Sequence, residues 1–320
     1  MPIERRIIND EDEWLAWRQE DITASVVAAL WNAHPYETIY GLAAQRLGLH
    51  MPEPLSSPIL SRGREFQEIV GRYVQRKYPS WTLTPGNVYL RDPEARLGGT
   101  PDFFCETEDG KIGVIEAKTV ASLWFRQHWA DGVPEWIVLQ CLTCAMLAGA
   151  DFGLVAALVI DPWRWPPEMH DYPVARHPDA EKAIYQGVRN FWAALERKEM
   201  PTPDFTRDRG LIAAMFQHAT PGKIIDLSGD NRMPELLAEH AKAKADLREL
   251  EKKVKALAAE AKQKIGDAEV VTGVPGWSRI TCKEVSVKEK IVKAYSFRNL
   301  RATADKPTET EQEEESEAAE

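Results

Sequence analysis

Asp102, Glu116 and Lys118 stand around one short hairpin, within GGTPDFFCETEDGKIGVIEAKTV from Gly98 to Val120. The Glu108-Asp109-Gly110 turn folds two strand-like runs back on each other. Strand side chains alternate between faces, so Val114, Glu116 and Lys118 share one face of V-I-E-A-K and Ile115 and Ala117 the other. Asp102 begins the facing strand and can reach the same cluster. Two carboxylates and the Ala117 carbonyl are hard oxygen ligands, suited to Mg²⁺ or Mn²⁺ rather than to zinc. A metal so held polarises a phosphodiester and lowers the pKa of an attacking water. Lys118 can stabilise transition-state charge or orient the nucleophile, with its pKa expected to fall through burial. The alternative is an ion-paired surface hairpin, but charges that interrupt an apolar strand face are costly without a use.

Several elements must position this hairpin. Residues 12–50 read as helical, with Thr23 or Ser25 as a cap for SVVAALW and the Asn32-Ala33-His34-Pro35-Tyr36 break ending that helix. MPEPLSSP is a proline-rich loop, and Phe66, Ile69, Val70, Tyr73 and Val74 then mark one face of an amphipathic helix. After Pro85-Gly86 three short strands are expected, NVYLRD and the two arms of the hairpin. The helix PEWIVLQCLTCAMLAGA, the apolar strand FGLVAALVI, the aromatic-proline segment DPWRWPPEMHDYPV and the helix PDAEKAIYQGVRNFWAALERKEMP complete the set. This order predicts an α/β domain over residues 1–205, with a mixed sheet flanked by helices.

Residues 206–234 read as a linker and 235–304 as a helical arm with a basic, β-rich extension. From Leu236 to Lys264, Leu247, Leu250, Val254, Leu257 and Ala261 are spaced 3, 4, 3 and 4 apart, a short coiled-coil seam or a helical arm packing on the main domain. Gly266 stops that helix. In GWSRITCKEVSVKEKIVKAYSFRNLR seven Lys or Arg face two Glu, which fits a solvated face or a DNA contact equally. The acidic tail 305–320 is expected to be disordered.

Charge and composition exclude several classes. A net charge of −10 argues against a nonspecific polyanion binder, although it is uneven: −8 over residues 1–210, +5 over 211–304 and −7 over the tail. No run approaches the roughly 20 apolar residues a membrane span needs, and MPIERRIINDEDEW has no secretory-signal core. Four cysteines (Cys105, Cys141, Cys144, Cys282) give no disulfide framework, which suits a reducing cytoplasm. Cys141-x-x-Cys144 could suggest a metal or iron–sulfur site, but within an apolar helix the pair reads as buried packing. Trp163-Arg164-Trp165 fits base stacking or a packed turn. His34, His128 and His170 lie in no ligand spacing.

T-P-D followed by I-E-A-K resembles the PD-(D/E)xK nuclease superfamily. The wider pattern is similar to the lambda-exonuclease/YqaJ-type viral recombinase nucleases over residues 14–205. It comprises Trp14 and Arg18 before Ile22-Thr23-Ala24-Ser25, the helical Gly63-Arg64-Glu65-Phe66-Gln67-Glu68, Arg91-Asp92 ten residues before the aspartate, Gln140 in PEWIVLQ, and Phe191-Trp192 with Pro201-Thr202-Pro203. The seam helix, I-G-D-A-E at 265–269 and the final strands resemble a C-terminal extension of many such chains.

The resemblance implies a restriction-endonuclease-like fold. It implies metal binding by Asp102 and Glu116, catalysis by Lys118 and a site-facing Gln140. Arg18 and Ser25 would hold a DNA phosphate, and Asp92 would belong to the site. From the residues alone Arg18 and Ser25 read equally well as an ion pair and a helix cap, and Asp92 as a turn residue. The sequence departs from the family at Gln67, where a helical glutamate is expected: either Gln67 serves through its carbonyl oxygen or a one-residue slip brings in Glu68.

The expected function is a Mg²⁺- or Mn²⁺-dependent deoxyribonuclease, a phage-type 5′→3′ exonuclease on duplex DNA ends. It would act beside a single-strand annealing recombinase and form a homo-oligomer, ring-shaped by the resemblance. The alternatives are a restriction- or repair-type endonuclease, and a catalytically weak DNA- or partner-binding protein with a nuclease fold.

Overall fold

Alternating and fully apolar strand runs assemble into two sheets in the first of two compact units, which divide after Met215. The computed structural model describes residues 2–50 and 58–286. Strands β1 (Glu4–Ile7), β2 (Ile22–Thr23), β4 (Val88–Asp92) and β5 (Leu97–Gly99) form a four-stranded sheet in the order β1-β4-β5-β2, with β2 and β5 parallel. Strands β3 (Thr82–Pro85), β6 (Phe103–Glu106), β7 (Ile112–Ala121), β8 (Phe152–Asp161) and β9 (Arg164–Ala175) form a five-stranded sheet in that order. Its central pair β7–β8 is parallel and its other pairs are antiparallel, so the sheet is mixed as expected.

Helices α1 (Glu11–Glu20), α2 (Ile39–Arg46), α3 (Pro58–Lys77), α4 (Ser122–His128), α5 (Glu135–Ala148), α6 (Pro178–Glu196) and α7 (Arg209–Met215) complete the unit. The crossover from β7 to β8 runs through α4 and α5. Both faces of β7 are covered, as a parallel pair requires. Val114 and Val120 enter a core with Ile137, Cys141 and Leu142 of α5, while Ile115 enters a second core with Val70 and Val74 of α3. The two-residue alternation expected for this strand thus separates two cores.

Four expectations change. SVVAALW is a 3-10 helix, Val27–Trp31, with no side-chain cap, and Thr23 lies in β2. NVYLRD joins the four-stranded sheet rather than the hairpin's, and the unforeseen β3 pairs with β6. The aromatic-proline segment forms β9, an edge strand, where proline is tolerated because one side needs no ladder hydrogen bonds. Residues 206–215, expected to begin the linker, belong to the first unit. Buried Asp208 accepts from Thr38 Oγ1 at 2.6 Å, and Arg207 donates to the carbonyl of Glu37 at 3.0 Å.

The second unit contains α8 (Arg232–Ile265), ended by Gly266 at φ 62°, and a two-stranded ribbon of β10 (Val270–Val271) and β11 (Ile280–Thr281). The extension's remaining residues from 287 and the tail at 305–320 lie outside the described residues. No helix among the described residues is long and apolar enough to cross a membrane.

Candidate active site

Antiparallel pairing sets Phe103 opposite Ile115, so one step earlier Asp102 stands across from Glu116. The Asp102 carboxylate is fixed by the Ala117 N–H, 2.7 Å from its Oδ2. Its carbonyl accepts from the Gly86 N–H at 2.9 Å and from Gln67 Nε2 at 3.3 Å. Gly86 has to be glycine here, since a Cβ would lie 1.8 Å from the Pro101 carbonyl oxygen. This close approach pins the Pro101-Asp102 backbone at the point where the hairpin opens.

Glu116 is 4 % exposed and its Oε1 accepts from Lys118 Nζ at 2.6 Å and Gln140 Nε2 at 2.7 Å. Lys118 also donates to Gln140 Oε1 at 3.2 Å, and its ammonium stands 5.6 Å from the Trp136 ring centre. Trp136 and Gln140 are four residues apart on α5, which places them on one helix face toward β7. Asp102, Glu116 and Lys118 are therefore brought together, as the hairpin pattern anticipated, and Gln140 joins them from α5.

The charges here are unbalanced. Burial, and next the repulsion of Glu116, push the Asp102 carboxyl up to about 8 against the pull of Lys118 and the Ala117 N–H. Lys118 departs from expectation. Burial is the largest single influence on it and pulls its pKa down, but the attraction of Glu116 and Asp102 with the Glu116 hydrogen bond raises it overall. The amine is a held cation and not a neutral base. Buried Glu116 and half-buried Asp102 facing one ammonium make a place where a further cation would be stabilised. Carboxylate and carbonyl oxygens are hard donors, of the kind that suits a hard divalent cation, while Gln67 presents its amide N–H to the Asp102 carbonyl. Among the described residues no group of three or more His, Cys, Asp or Glu gathers as a metal cage.

Gln67 and Glu68 separate clearly. Gln67 faces Asp102, whereas Glu68 is exposed and paired with Arg72 at 2.7 Å one turn along α3.

Arg18 Nη2 donates to Ser25 Oγ at 3.0 Å, and Ser25 Oγ shares a 3.0 Å hydrogen bond with Thr23 Oγ1. The guanidinium lies 4.7 Å from the Trp14 ring centre, and Trp14 Nε1 donates to Thr100 Oγ1, two residues before Asp102. Burial lowers the Arg18 pKa, and no carboxylate pairs with Arg18 among the described residues. A half-buried guanidinium beside a hydroxyl, without an internal anion, is suited to a phosphate oxygen. Neither the ion pair nor the helix cap considered from sequence forms.

Asp92 is not joined to the cluster by its contacts. Its Oδ1 accepts from the Glu94 and Ala95 N–H groups at 3.0 and 2.9 Å, and Tyr185 hydrogen-bonds it, so it closes a turn. Its neighbour Arg91 is structural too, donating to buried Asp21 at 2.8 Å and pairing with Glu20 at 3.1 Å.

His34, to which sequence gave no role, is buried beside Trp136 with ring centres 5.3 Å apart. Its Nδ1 accepts from the Tyr36 and Glu37 N–H groups, and the ring also hydrogen-bonds the Ser25 backbone. Burial, and next Arg207, lower its pKa to about 4, so a neutral ring ties Ser25 to Trp136. A histidine before Pro-Tyr carries no spacing signal, and only the fold reveals this link.

The cysteines are packing residues. Cys141 and Cys144 lie in the α5 core and Cys105 in the core on the other side of β7, and burial raises all three thiols. Trp163 and Trp165 are 92 and 85 % exposed, so the packed turn is not formed.

The profile of the YqaJ-like viral recombinase domain matches residues 13–151, a span holding Arg18, Ser25, Gln67, Asp102, Glu116, Lys118 and Gln140. Among solved structures the chain is similar to an alkaline exonuclease from Laribacter hongkongensis, at 21% identity over 58% of this chain and 93% of that one, TM-score 0.48. It is also similar to a phage-related exonuclease from Haemophilus somnus 129PT, at 12% identity over 56% and 96%, TM-score 0.42. No curated protein matches the chain.

Proposed function

Because residues 13–151 match the profile of the YqaJ-like viral recombinase domain, we propose that this protein is a metal-dependent deoxyribonuclease, a phage-type 5′→3′ exonuclease on duplex ends. The observation that carries this reading is the convergence of Asp102, Glu116, Lys118 and Gln140 where the β6–β7 hairpin opens. Asp102 and Glu116, with the Ala117 carbonyl and the Gln67 amide oxygen, would hold Mg²⁺ or Mn²⁺. Such an ion supplies polarisation of the scissile phosphodiester and a lowered pKa for the attacking water.

The chain's own groups do the rest. Lys118 brings a fixed positive charge to the phosphate, held by Glu116 and Gln140 so that little reorganisation is needed as negative charge develops. Gln140 orients both partners. Arg18 and Ser25 grip the phosphate of the DNA end, and Trp14 ties that pocket to Thr100 beside Asp102. A pocket for a terminal phosphate favours exonuclease over endonuclease chemistry. In this reading the protein acts in the cytoplasm of a bacterial or phage-infected cell, and its 3′ single strands pass to an annealing recombinase.

The test is purified protein with linear and closed circular duplex side by side, in Mg²⁺ and in EDTA. Loss of the linear DNA alone, abolished by EDTA, is expected. Cutting of the circle would replace this reading with an endonuclease. Binding without cutting would favour a weak nuclease fold used for DNA capture, the second reading, which Gln67 in place of a carboxylate supports.

A further inference from the structure

The 34-residue helix α8 takes no part in the chemistry above. Leu247, Leu250, Val254 and Leu257 follow at intervals of 3, 4 and 3 along it and are 55, 59, 56 and 56 % exposed. Leu236, His240, Ala243 and Ala261 continue the stripe, which runs about 38 Å at ~1.5 Å per residue. Alternating steps of three and four residues form the seam of a two-helix coiled coil. We propose that α8 pairs antiparallel with the α8 of a second copy of this chain, with Arg232 of one helix beside Ile265 of the other.

The sequence of the seam selects both the partner and its direction. In this register Leu247 meets Leu250, Leu236 meets Ala261, His240 meets Leu257 and Ala243 meets Val254, each twice by symmetry. Three of these four layers set a larger side chain against a smaller or polar one, which fills space evenly. A parallel pair would stack His240 on itself and leave Ala243 and Ala261 facing their own copies, with voids between them.

The flanking charges agree. Antiparallel pairing brings Asp246 beside Lys253 and Lys244 beside Glu251, each twice, and none of these four has an ion pair in its own chain among the described residues. The like-charged approach in this register is Glu239 to Glu260. Both are already held within their own helix, Glu239 by Arg232 at 2.7 Å and Glu260 by Lys264 at 2.6 Å. A parallel pair would instead oppose Asp246 to Glu251. The face is self-complementary, as a two-fold dimer contact must be.

This inference is independent of the nuclease chemistry, and its test does not read activity. Sedimentation of the full chain at micromolar concentration should give an even number of chains. Leu247→Asp/Leu250→Asp should halve that mass. Asp246→Lys should weaken association at least tenfold, and Asp246→Lys/Lys253→Asp should restore it. In a Cys282→Ser background, Asp246→Cys/Lys253→Cys should form a covalent dimer on oxidation. Two cysteines seven residues apart on one helix lie ~10 Å apart and cannot bridge each other. A single-chain mass up to roughly 50 μM, far above a specific micromolar Kd, would overturn the proposal. So would an association indifferent to the leucine substitutions.

Discussion

Lys118 Nζ stands 2.6 Å from Glu116 Oε1, and both groups meet the amide of Gln140. The contact makes the lysine a permanent cation and gives the glutamate its orientation, so neither side chain acts alone. Removing the amine leaves the Glu116 and Asp102 carboxylates without their counter-charge. Lys118→Ala and Glu116→Ala should each lower the rate of DNA cleavage by about 10²–10³-fold, the scale for a lost charge-stabilising group. Far-UV circular dichroism should stay that of the native protein. Cleavage by Lys118→Ala at the native rate in Mg²⁺ would remove Lys118 from the mechanism.

Gly86 and Asp102 are joined by backbone alone, through the 2.9 Å hydrogen bond from the Gly86 N–H to the Asp102 carbonyl. A methyl group at residue 86 would collide with the Pro101 carbonyl oxygen, and backbone there cannot swing aside as a side chain can. Gly86→Ala should therefore displace Asp102 and abolish cleavage, with a stability loss of about 1–3 kcal/mol. A crystal structure or a Mg²⁺ titration of this variant that matched the native protein would contradict the account.

How much of this could be read beforehand depends on the range of the forces involved. The hairpin was legible because its determinants are local: alternation sets Glu116 and Lys118 on one face, and the register does the rest. Gln140 came with the family resemblance and not from the hairpin. The turn contacts of Asp92 could not be told apart beforehand, because an Asp that closes its own turn looks the same in sequence as one that faces a site. His34 and Gly86 were silent, since their partners Trp136 and Pro101 are set by chain crossings and not by spacing. β9 was hidden by its prolines, which an edge strand accepts and a central strand does not. The direction of the Lys118 shift was misread because burial alone was weighed, without the two carboxylates beside it.

The Asp102 carboxyl ties stability to pH. Its pKa in the folded, metal-free protein is about 8, above the unfolded value near 3.8. The folded state therefore keeps the proton that the unfolded chain gives up. The contribution is present in full below the unfolded pKa and is lost as pH rises from about 4 to about 8. In EDTA the stability of the native protein relative to Asp102→Asn should fall across that window, because asparagine has no proton to lose. Mg²⁺ should restore native stability at pH 8 and leave the variant unmoved. Parallel denaturation curves for the two proteins from pH 5 to 8 would refute this.

Gln67 and Glu68 give the sharpest comparison, because they are neighbours with opposite surroundings. Gln67 reaches the Asp102 backbone, whereas Glu68 is exposed and spends its charge on Arg72. A carboxylate at residue 67 would add negative charge where two carboxylates already stand, and a charged ligand attracts a divalent ion more strongly than a neutral one. Gln67→Glu should lower the Mg²⁺ concentration for half-maximal cleavage by about tenfold, equivalent to about 1.4 kcal/mol. The same change should destabilise the protein in EDTA, where the third carboxylate has no cation to meet. Glu68→Gln should leave both quantities alone, since an exposed helix ion pair is worth only about 0.3–0.5 kcal/mol. Both substitutions exchange an amide and a carboxyl of nearly one shape, so packing cannot account for a difference between them. If Glu68→Gln instead crippled cleavage while Gln67→Glu changed nothing, the helix ligand would be Glu68 and the orientation of α3 at this site would have to be redrawn.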